Sequence, residues 1–204
     1  MRRTPLALLL ALAMTANGCS TVYYAAMAQL GWARHDLLAE RVQQARDSQD
    51  QARLQFADAL PLFTAAGGPA VGANRLAALR ASHDDCADSA ALVRTRIAAV
   101  ETAADAFFGE WNEELGEATG ANRARDQQRY DMFRQHYDRL LAAMRDAEAA
   151  MPPVLAAMQA QVTALESGQA ATPPGASAGD PLVRKLQLAV ALADQYIAEL
   201  ESID

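Results

Sequence analysis

Apolar and small residues recur along most of this chain at alternating spacings of four and three residues. This spacing keeps them on one narrow stripe of a helix, while charged residues occupy the other faces. The first stripe consists of Leu38, Val42, Ala45, Gln49, Ala52, Phe56, Ala59 and Phe63. Pro61 lacks an amide proton and clashes one turn back, so we expect this helix to end or kink near Leu60. Gly67-Gly68-Pro69 then predicts a loop.

Two longer stripes follow. The second predicts a helix from about Asn74 to Glu117, and consists of Leu76, Leu79, His83, Cys86, Ala90, Val93, Ile97, Val100, Ala104, Phe107 and Trp111. The third has Asn122 as its predicted N-cap and consists of Tyr130, Phe133, Tyr137, Leu140, Met144, Ala147, Met151, Val154, Met158 and Leu165. Pro152-Pro153 interrupts the third helix in its interior, where proline costs ~3 kcal/mol or more. We therefore expect a kink or a short break there, between collinear segments.

A last helix follows a segment, 168–181, that has the composition of a flexible linker. Asp180 is its predicted N-cap, with Pro181 in the first helical position, and its stripe consists of Leu182, Leu186, Ala189, Ala193, Tyr196 and Leu200. No stretch alternates as a strand would. The chain therefore predicts an all-α fold, an elongated antiparallel helical bundle with coiled-coil packing. Three long helices would lie in 19–167, and the C-terminal helix in 182–204.

The first eighteen residues have the pattern of a secretory signal peptide. Arg2 and Arg3 give a positive start, the apolar run 6–14 follows, and 16–19 reads Ala-Asn-Gly-Cys. The apolar run is roughly half the ~20 residues that cross a bilayer, so a membrane span is not predicted. The ending resembles a lipobox, whose cysteine is acylated, for example with palmitate. Ordinary signal peptidase would also cut before Cys19, so only the lipid separates the two interpretations, and we expect the lipid.

The residues after the cysteine bear on location. Ser20 follows it, and no Asp of the kind that retains lipoproteins at the inner membrane is present. This favours a lipid anchor on the periplasmic face of the bacterial outer membrane. Little polar sequence separates Cys19 from the first helix, so we expect the bundle to stand close to the membrane. Tyr23, Tyr24 and Trp32 suit a membrane interface, and packing against another helix explains them equally well.

Charge narrows the partners that the chain can have. The formal net charge of the whole chain is −7, with 18 basic and 25 acidic side chains. Loss of Arg2 and Arg3 with the leader leaves 16 basic and 25 acidic side chains, or −9. An acidic body lacks the basic surface that nucleic acid or an anionic membrane requires, so we expect no nucleic-acid partner. Membrane attachment would come from the lipid.

Two clusters on the second helix could carry chemistry. His83 and Cys86 lie three residues apart on one face, which would present two soft-metal ligands if other helices supplied more. The plainer interpretation makes Cys86 a small buried residue and His83 a polar position that sets the register. A third set, Met144, Met151 and Met158, recurs every seven residues, as core residues or as adaptable thioether ligands would.

The other cluster is acidic and surrounds Trp111. Its carboxylates, which share a helix face, are Glu110, Glu113, Glu114 and Glu117. Together with Trp111 they could bind a basic partner or a divalent cation, or they could form a solvated face. The nearby basic side chains, which could neutralise them across the turn, are Arg123, Arg125 and Arg129.

No motif for nucleophilic catalysis, phosphate binding or paired-cysteine metal binding occurs in the chain. The sequence therefore predicts a protein that is not an enzyme and that uses no cofactor. Cys86 would be left unpaired by acylation of Cys19, so no disulfide is expected either.

Four segments together resemble one family of bacterial proteins, the domain of unknown function 2959 family. They are 22–27 (VYYAAM), 41–47 (RVQQARD), 107–115 (FFGEWNEEL) and 151–157 (MPPVLAA), which keep their order and spacing. The resemblance reaches from the signal to about Leu165. It implies an envelope lipoprotein with long helices and supplies no activity, and Cys19 is the only functional residue that it carries over.

These observations predict a lipid-anchored scaffold or adaptor of the bacterial cell envelope. It would act by binding another envelope protein or by self-association. The alternative is a periplasmic helical bundle that binds a ligand or a metal, through His83 and Cys86 or through the acidic face.

Overall fold

The computed structural model describes residues 34–66, 72–169 and 176–203. These residues form four helices and no strand: α1 (Arg34–Thr64), α2 (Ala73–Glu117), α3 (Gly120–Glu166) and α4 (Ala176–Leu200). The predicted all-α class is confirmed. The leader, Cys19 and the aromatic residues Tyr23, Tyr24 and Trp32 lie outside the described residues.

The four helices form a bundle in which each helix packs on two neighbours. Helices α1 and α3 occupy opposite corners, and both contact α2 and α4. Pairs between neighbours run in opposite directions along the chain, as Arg94 with Glu148 and Arg80 with Glu166 show for α2 and α3. The arrangement is therefore an up-down-up-down bundle, which short loops favour.

The predicted stripes face the interior. On α1 all eight stripe positions are buried, and on α4 all six. The methionine set, Met144, Met151 and Met158, is fully buried on α3, which confirms that these side chains belong to the core. Alanines at Ala45, Ala52, Ala189 and Ala193 are also fully buried, so α1 and α4 can approach each other closely.

Of the two outcomes predicted at each proline site, the helix end near Leu60 and the short break at Pro152-Pro153 are not found. Helix α1 continues through Pro61 to Thr64, and α3 continues through Pro152 and Pro153 to Glu166. Each proline removes one intrahelical hydrogen bond, but buried side chains stand next to it. Phe63 is fully buried beyond Pro61, and Met151 and Val154 flank the proline pair. Packing of these side chains offsets the lost hydrogen bonds and keeps the helices continuous.

Two helices begin earlier than predicted. Helix α3 begins at Gly120 after an N-cap at Thr119 that makes no side-chain capping bond, so Asn122 is not the cap. Gly120 has a φ of +66°, a conformation that glycine adopts without strain and that ends the tight turn from α2. Helix α4 begins at Ala176, so Pro181 lies inside it. None of the helices among the described residues is long and apolar enough to cross a membrane.

Among the described residues, α2 and α3 continue beyond the level of Arg34, the first described residue of α1. Arg34 pairs with Glu110 of α2. The last seven residues of α2 therefore lie beyond the level of Arg34, which is about 10 Å of helix. We call residues 113–129, with the turn between α2 and α3, the hairpin tip.

Two glutamines lie buried in the core and differ in their hydrogen bonds. Gln161 on α3 donates from Nε2 to the carbonyl of Phe63 at 2.8 Å. That carbonyl belongs to the last turn of α1 and also accepts from the backbone N–H of Ala66 at 3.1 Å, so Gln161 adds a second donor to the end of α1 from another helix. The Oε1 of Gln161 has no partner among the described residues. Gln49 is fully buried, and neither polar atom of its amide has a partner among the described residues.

This difference predicts unequal effects of the same substitution. Gln49→Leu removes an unpaired buried amide while keeping similar volume, and should raise the free energy of unfolding by about 1–3 kcal/mol. Gln161→Leu removes the hydrogen bond to the Phe63 carbonyl together with an unpaired Oε1, so it should raise the free energy of unfolding by less than Gln49→Leu does. Urea unfolding of both variants beside the parent chain measures the two changes. A loss of stability in Gln49→Leu would contradict the assignment, because it would mean that the Gln49 amide has a partner.

Candidate interaction site at the hairpin tip

The five residues predicted as partner-binding candidates lie on the last turns of α2, and the structure gives them different environments. Glu110 is half-exposed and its Oε2 accepts from Nε of Arg34 at 2.8 Å. Arg34 also donates from Nη1 to the carbonyl of Ala106 at 3.3 Å. These contacts attach the start of α1 to α2, so Glu110 serves the bundle itself.

Trp111 is a half-buried member of an aromatic cluster between α2 and α3. Its ring centroid lies 5.4 Å from that of Phe107, 5.5 Å from Phe133 and 5.8 Å from Tyr130. These separations and the tilted or edge-on geometry are those at which aromatic pairs attract. Trp111 therefore contributes to packing, and the prediction that it contacts a partner finds no support in its position.

The same cluster continues across the bundle to α4. Tyr196, fully buried on α4, packs against Tyr137 in a tilted arrangement and edge-on against Phe133, with centroids 6.2 Å and 6.5 Å apart respectively. Burial raises the pKa of the Tyr196 hydroxyl, which has no hydrogen-bond partner among the described residues. The guanidinium of Arg134 lies 5.0 Å from the ring centroid of Phe108, in a cation–π contact. The aromatic cluster thus holds three helices together directly below the hairpin tip.

The remaining carboxylates, Glu113, Glu114 and Glu117, are exposed. Across the turn, Arg123 and Arg129 are also exposed, and Arg125 pairs with its neighbour Asp126 at 3.7 Å. Within the described ranges, no salt bridge joins the three carboxylates of α2 to the three arginines of α3. The neutralisation across the turn that the sequence allows is therefore not seen.

These charges also have the unfavourable sign for the helix ends on which they lie. The carboxyl end of a helix carries a partial negative charge, and the amino end a partial positive charge. Helix α2 ends with acidic side chains and no basic one in its last turn, while α3 begins with basic side chains and no acidic one in its first turn. The charges at the hairpin tip therefore weaken the fold locally. A local arrangement that opposes folding is typical of a functional surface.

Reversing these charges should stabilise the bundle. Glu117→Lys and Arg123→Glu each place the favourable charge at a helix end, and each should raise the free energy of unfolding by about 0.3–1 kcal/mol at low salt. Thermal unfolding at low and high ionic strength measures the effect, which salt should screen. Destabilisation by either variant would contradict this account, because it would show that these charges have favourable partners within the chain.

The His83 and Cys86 pair does not form a metal site among the described residues. No group of three or more His, Cys, Asp or Glu side chains there is placed to hold a metal ion. Cys86 is fully buried, with Sγ 3.8 Å from the carbonyl of Gln55, and burial raises the pKa of its thiol to about 12. His83 is half-buried, with Nδ1 3.1 Å from the carboxylate of Asp84. The plainer interpretation, a small buried cysteine beside a polar position, fits these contacts.

Burial of Cys86 predicts a protected thiol. With a pKa of about 12, roughly one thiol in ten thousand is ionised at pH 8, and the thiolate is the reactive form. In a Cys19→Ser chain, iodoacetamide at pH 8 should modify Cys86 only after denaturant unfolds the bundle, which mass spectrometry detects. Because the pKa of an unfolded thiol lies near 9.0, the bundle should lose stability as the pH rises from 9 towards 12, where only the unfolded thiol ionises. Rapid modification without denaturant would contradict the buried placement.

Sequence reasoning missed a groove between the outer flanks of α1 and α4. The groove encloses about 680 Å³ and lies at the end of α1 opposite Arg34. The stripe pattern gave no signal for it, because its lining residues lie outside the stripes and come together only when the two helices pack.

Comparison with known proteins gives a family and no activity. Residues 23–200 match the family model described as "Protein of unknown function (DUF2959)". No curated protein and no solved structure matches the chain. The family match covers the whole bundle, including α4, which extends the resemblance seen in the sequence. The chain belongs to the DUF2959 family of proteins of unknown function.

Proposed function

We propose that this protein is a lipid-anchored scaffold or adaptor of the bacterial cell envelope. Cys19 carries the lipid on the periplasmic face of the outer membrane, and the bundle acts by binding protein partners. The observation that carries the proposal is the hairpin tip, where charges of both signs are exposed, unfavourable for their own helix ends and unpaired across the turn. A protein partner of complementary charge would relieve this arrangement.

The position of the tip supports the proposal. The pairing of Arg34 with Glu110 places the start of α1 at the same end of the bundle as the tip. Fourteen residues lie between Cys19 and Arg34, and a fully extended chain from one to the other spans at most about 50 Å. A lipid on Cys19 would therefore keep the tip within reach of the membrane surface and of proteins in it.

The interior of the bundle supports a role in binding over one in catalysis. Groups that could do chemistry are buried and inactivated there: burial raises the pKa of the Cys86 thiol and of the Tyr137 and Tyr196 hydroxyls. Catalytic groups need accessible side chains with a pKa close to the working pH. The acidic body also gives no reason to expect nucleic acid as a partner. No contact of His83 or Cys86 favours the alternative of a metal-binding bundle.

Crosslinking in intact cells tests both the anchor and the tip. In the parent chain we expect a stoichiometric envelope protein in the crosslinked complex, identified by mass spectrometry. Cys19→Ser removes the acceptor for the lipid and should remove that partner. The triple variant Glu113→Lys, Glu114→Lys, Glu117→Lys should lose the partner while remaining in the membrane fraction, because only the tip is altered.

A matched charge reversal away from the tip is the control. Asp58, Asp85 and Asp88 are exposed on α1 and α2, far from the turn between α2 and α3. Changing all three to Lys alters the net charge by the same amount and should leave the partner bound. The proposal is wrong if the two triple variants behave alike, or if Cys19→Ser keeps both its membrane attachment and its partner.

A further inference from the structure

The groove between α1 and α4 has an apolar floor made by a close helix contact. Gly179 of α4 is buried against Leu60 of α1, so closely that a Cβ at this glycine would lie 2.3 Å from Cδ1 of Leu60. Ala57, Pro61 and Val183 line the groove beside them. Leu60 fills the space beside Gly179, and the hollow lies next to this contact, over the small side chain of Ala57, on the outside of the bundle at its end opposite the hairpin tip.

Large apolar side chains project one turn away from this hollow. Leu54 precedes Ala57 by three residues on α1 and is 50% exposed, and Leu188 follows the groove-lining Arg184 by four residues on α4 and is 55% exposed. The two exposed leucines project into solvent beside a groove that apolar side chains could fill. The same face of the bundle therefore carries both projections and a hollow.

The rim of the groove carries one charge of each sign. Asp180 and Arg184 both line the rim, one helical turn apart on α4. Neither side chain forms an ion pair with another described residue. An unpaired acid and an unpaired base on the same rim give no preference for an anionic or a cationic small molecule. They are complementary to the same two residues of a second copy. A two-fold axis between the two copies places Asp180 of each copy opposite Arg184 of the other.

We propose that the α1–α4 groove is a self-association surface whose occupant is the same groove of a second copy of this chain. Leu54 and Leu188 of each copy pack into the hollow of the other, and Asp180 of each copy pairs with Arg184 of the other. This inference rests on the proposed function as a scaffold, and it names one partner and the surface that binds it.

The charge pairing also determines how the two copies are oriented. Asp180 faces the other copy's Arg184 at the same height only when the two-fold axis is perpendicular to the helices. The copies are then antiparallel, and their hairpin tips lie at opposite ends of the dimer. With that axis along the membrane normal, the helices lie along the membrane, and both lipid anchors reach one bilayer. The tips remain free for a different protein.

Oligomeric state tests the surface. The sample is the full-length Cys19→Ser chain, which carries no lipid and therefore needs no detergent to keep a lipid in solution. Its association is measured by sedimentation velocity at several concentrations. We expect a concentration-dependent dimer in the parent chain, and at least about tenfold weaker association in Leu188→Glu and in Leu54→Glu. Leu92→Glu is the matched control, because Leu92 is 44% exposed on α2, outside the groove, and should leave the dimer unchanged.

Mixing two charge variants tests the pairing itself. Asp180→Arg leaves two basic residues on the rim and Arg184→Asp leaves two acidic ones, so each variant alone should be monomeric through like-charge repulsion. An equimolar mixture should form a heterodimer, because each copy then faces the opposite charge. Small-angle scattering measures the orientation: an antiparallel dimer should be roughly 115 Å long, against about 70 Å for the monomer or a parallel dimer.

Three outcomes would overturn the proposal. They are a monomeric parent chain at all concentrations, a dimer that Leu92→Glu weakens as much as Leu188→Glu does, and a mixture of charge variants that stays monomeric. None of these outcomes affects the crosslinking of an envelope partner to the hairpin tip. Failure of the groove and failure of the proposed adaptor role are therefore distinguishable.

Discussion

Burial of one narrow apolar stripe per helix is the interaction on which the rest of this structure depends. No single helix can remove its own stripe from water, so four stripes meet in a common core. Fully buried residues such as Phe56, Met144 and Leu186 fill that core from α1, α3 and α4. A filled bundle leaves little room for a ligand or a catalytic group inside it. Within the described residues, a binding partner would therefore meet the ends or the outer flanks of the bundle.

Within the described residues, the two ends of the bundle differ. At one end, α2 and α3 continue beyond the level of Arg34, and an aromatic cluster beneath that end joins them to each other and to Tyr196 of α4. Rings of Trp111, Phe133 and Tyr130 give the projecting hairpin a rigid base. The charges above this base can then oppose the helix dipoles, since packing below them supplies the stability that those charges reduce.

The repeat of apolar residues was sufficient to predict four helices and their buried faces, because a sustained spacing of three and four residues has one structural solution. It could not show where the helices end, since Pro61 and Pro152 cost local hydrogen bonds that distant packing offsets. The acidic face was visible from spacing, but the different environments of Glu110 and Trp111 depend on contacts with α1 and α3. The capping of Phe63 by Gln161 and the groove around Gly179 likewise need the assembled bundle.

The proposed anchor, the hairpin tip and the groove lie on different parts of one bundle that shares a single core. The tip and the start of α1 share one end, so attachment and partner recognition would lie together near the membrane. The groove lies near the other end, where Leu60 and Gly179 bring α1 and α4 into contact. One continuous core joins the two ends, and the close packing typical of protein interiors would keep the distance between them fixed. A bundle of fixed shape would hold the hairpin tip and the groove at a constant separation, as the proposed scaffold role requires, without a conformational change.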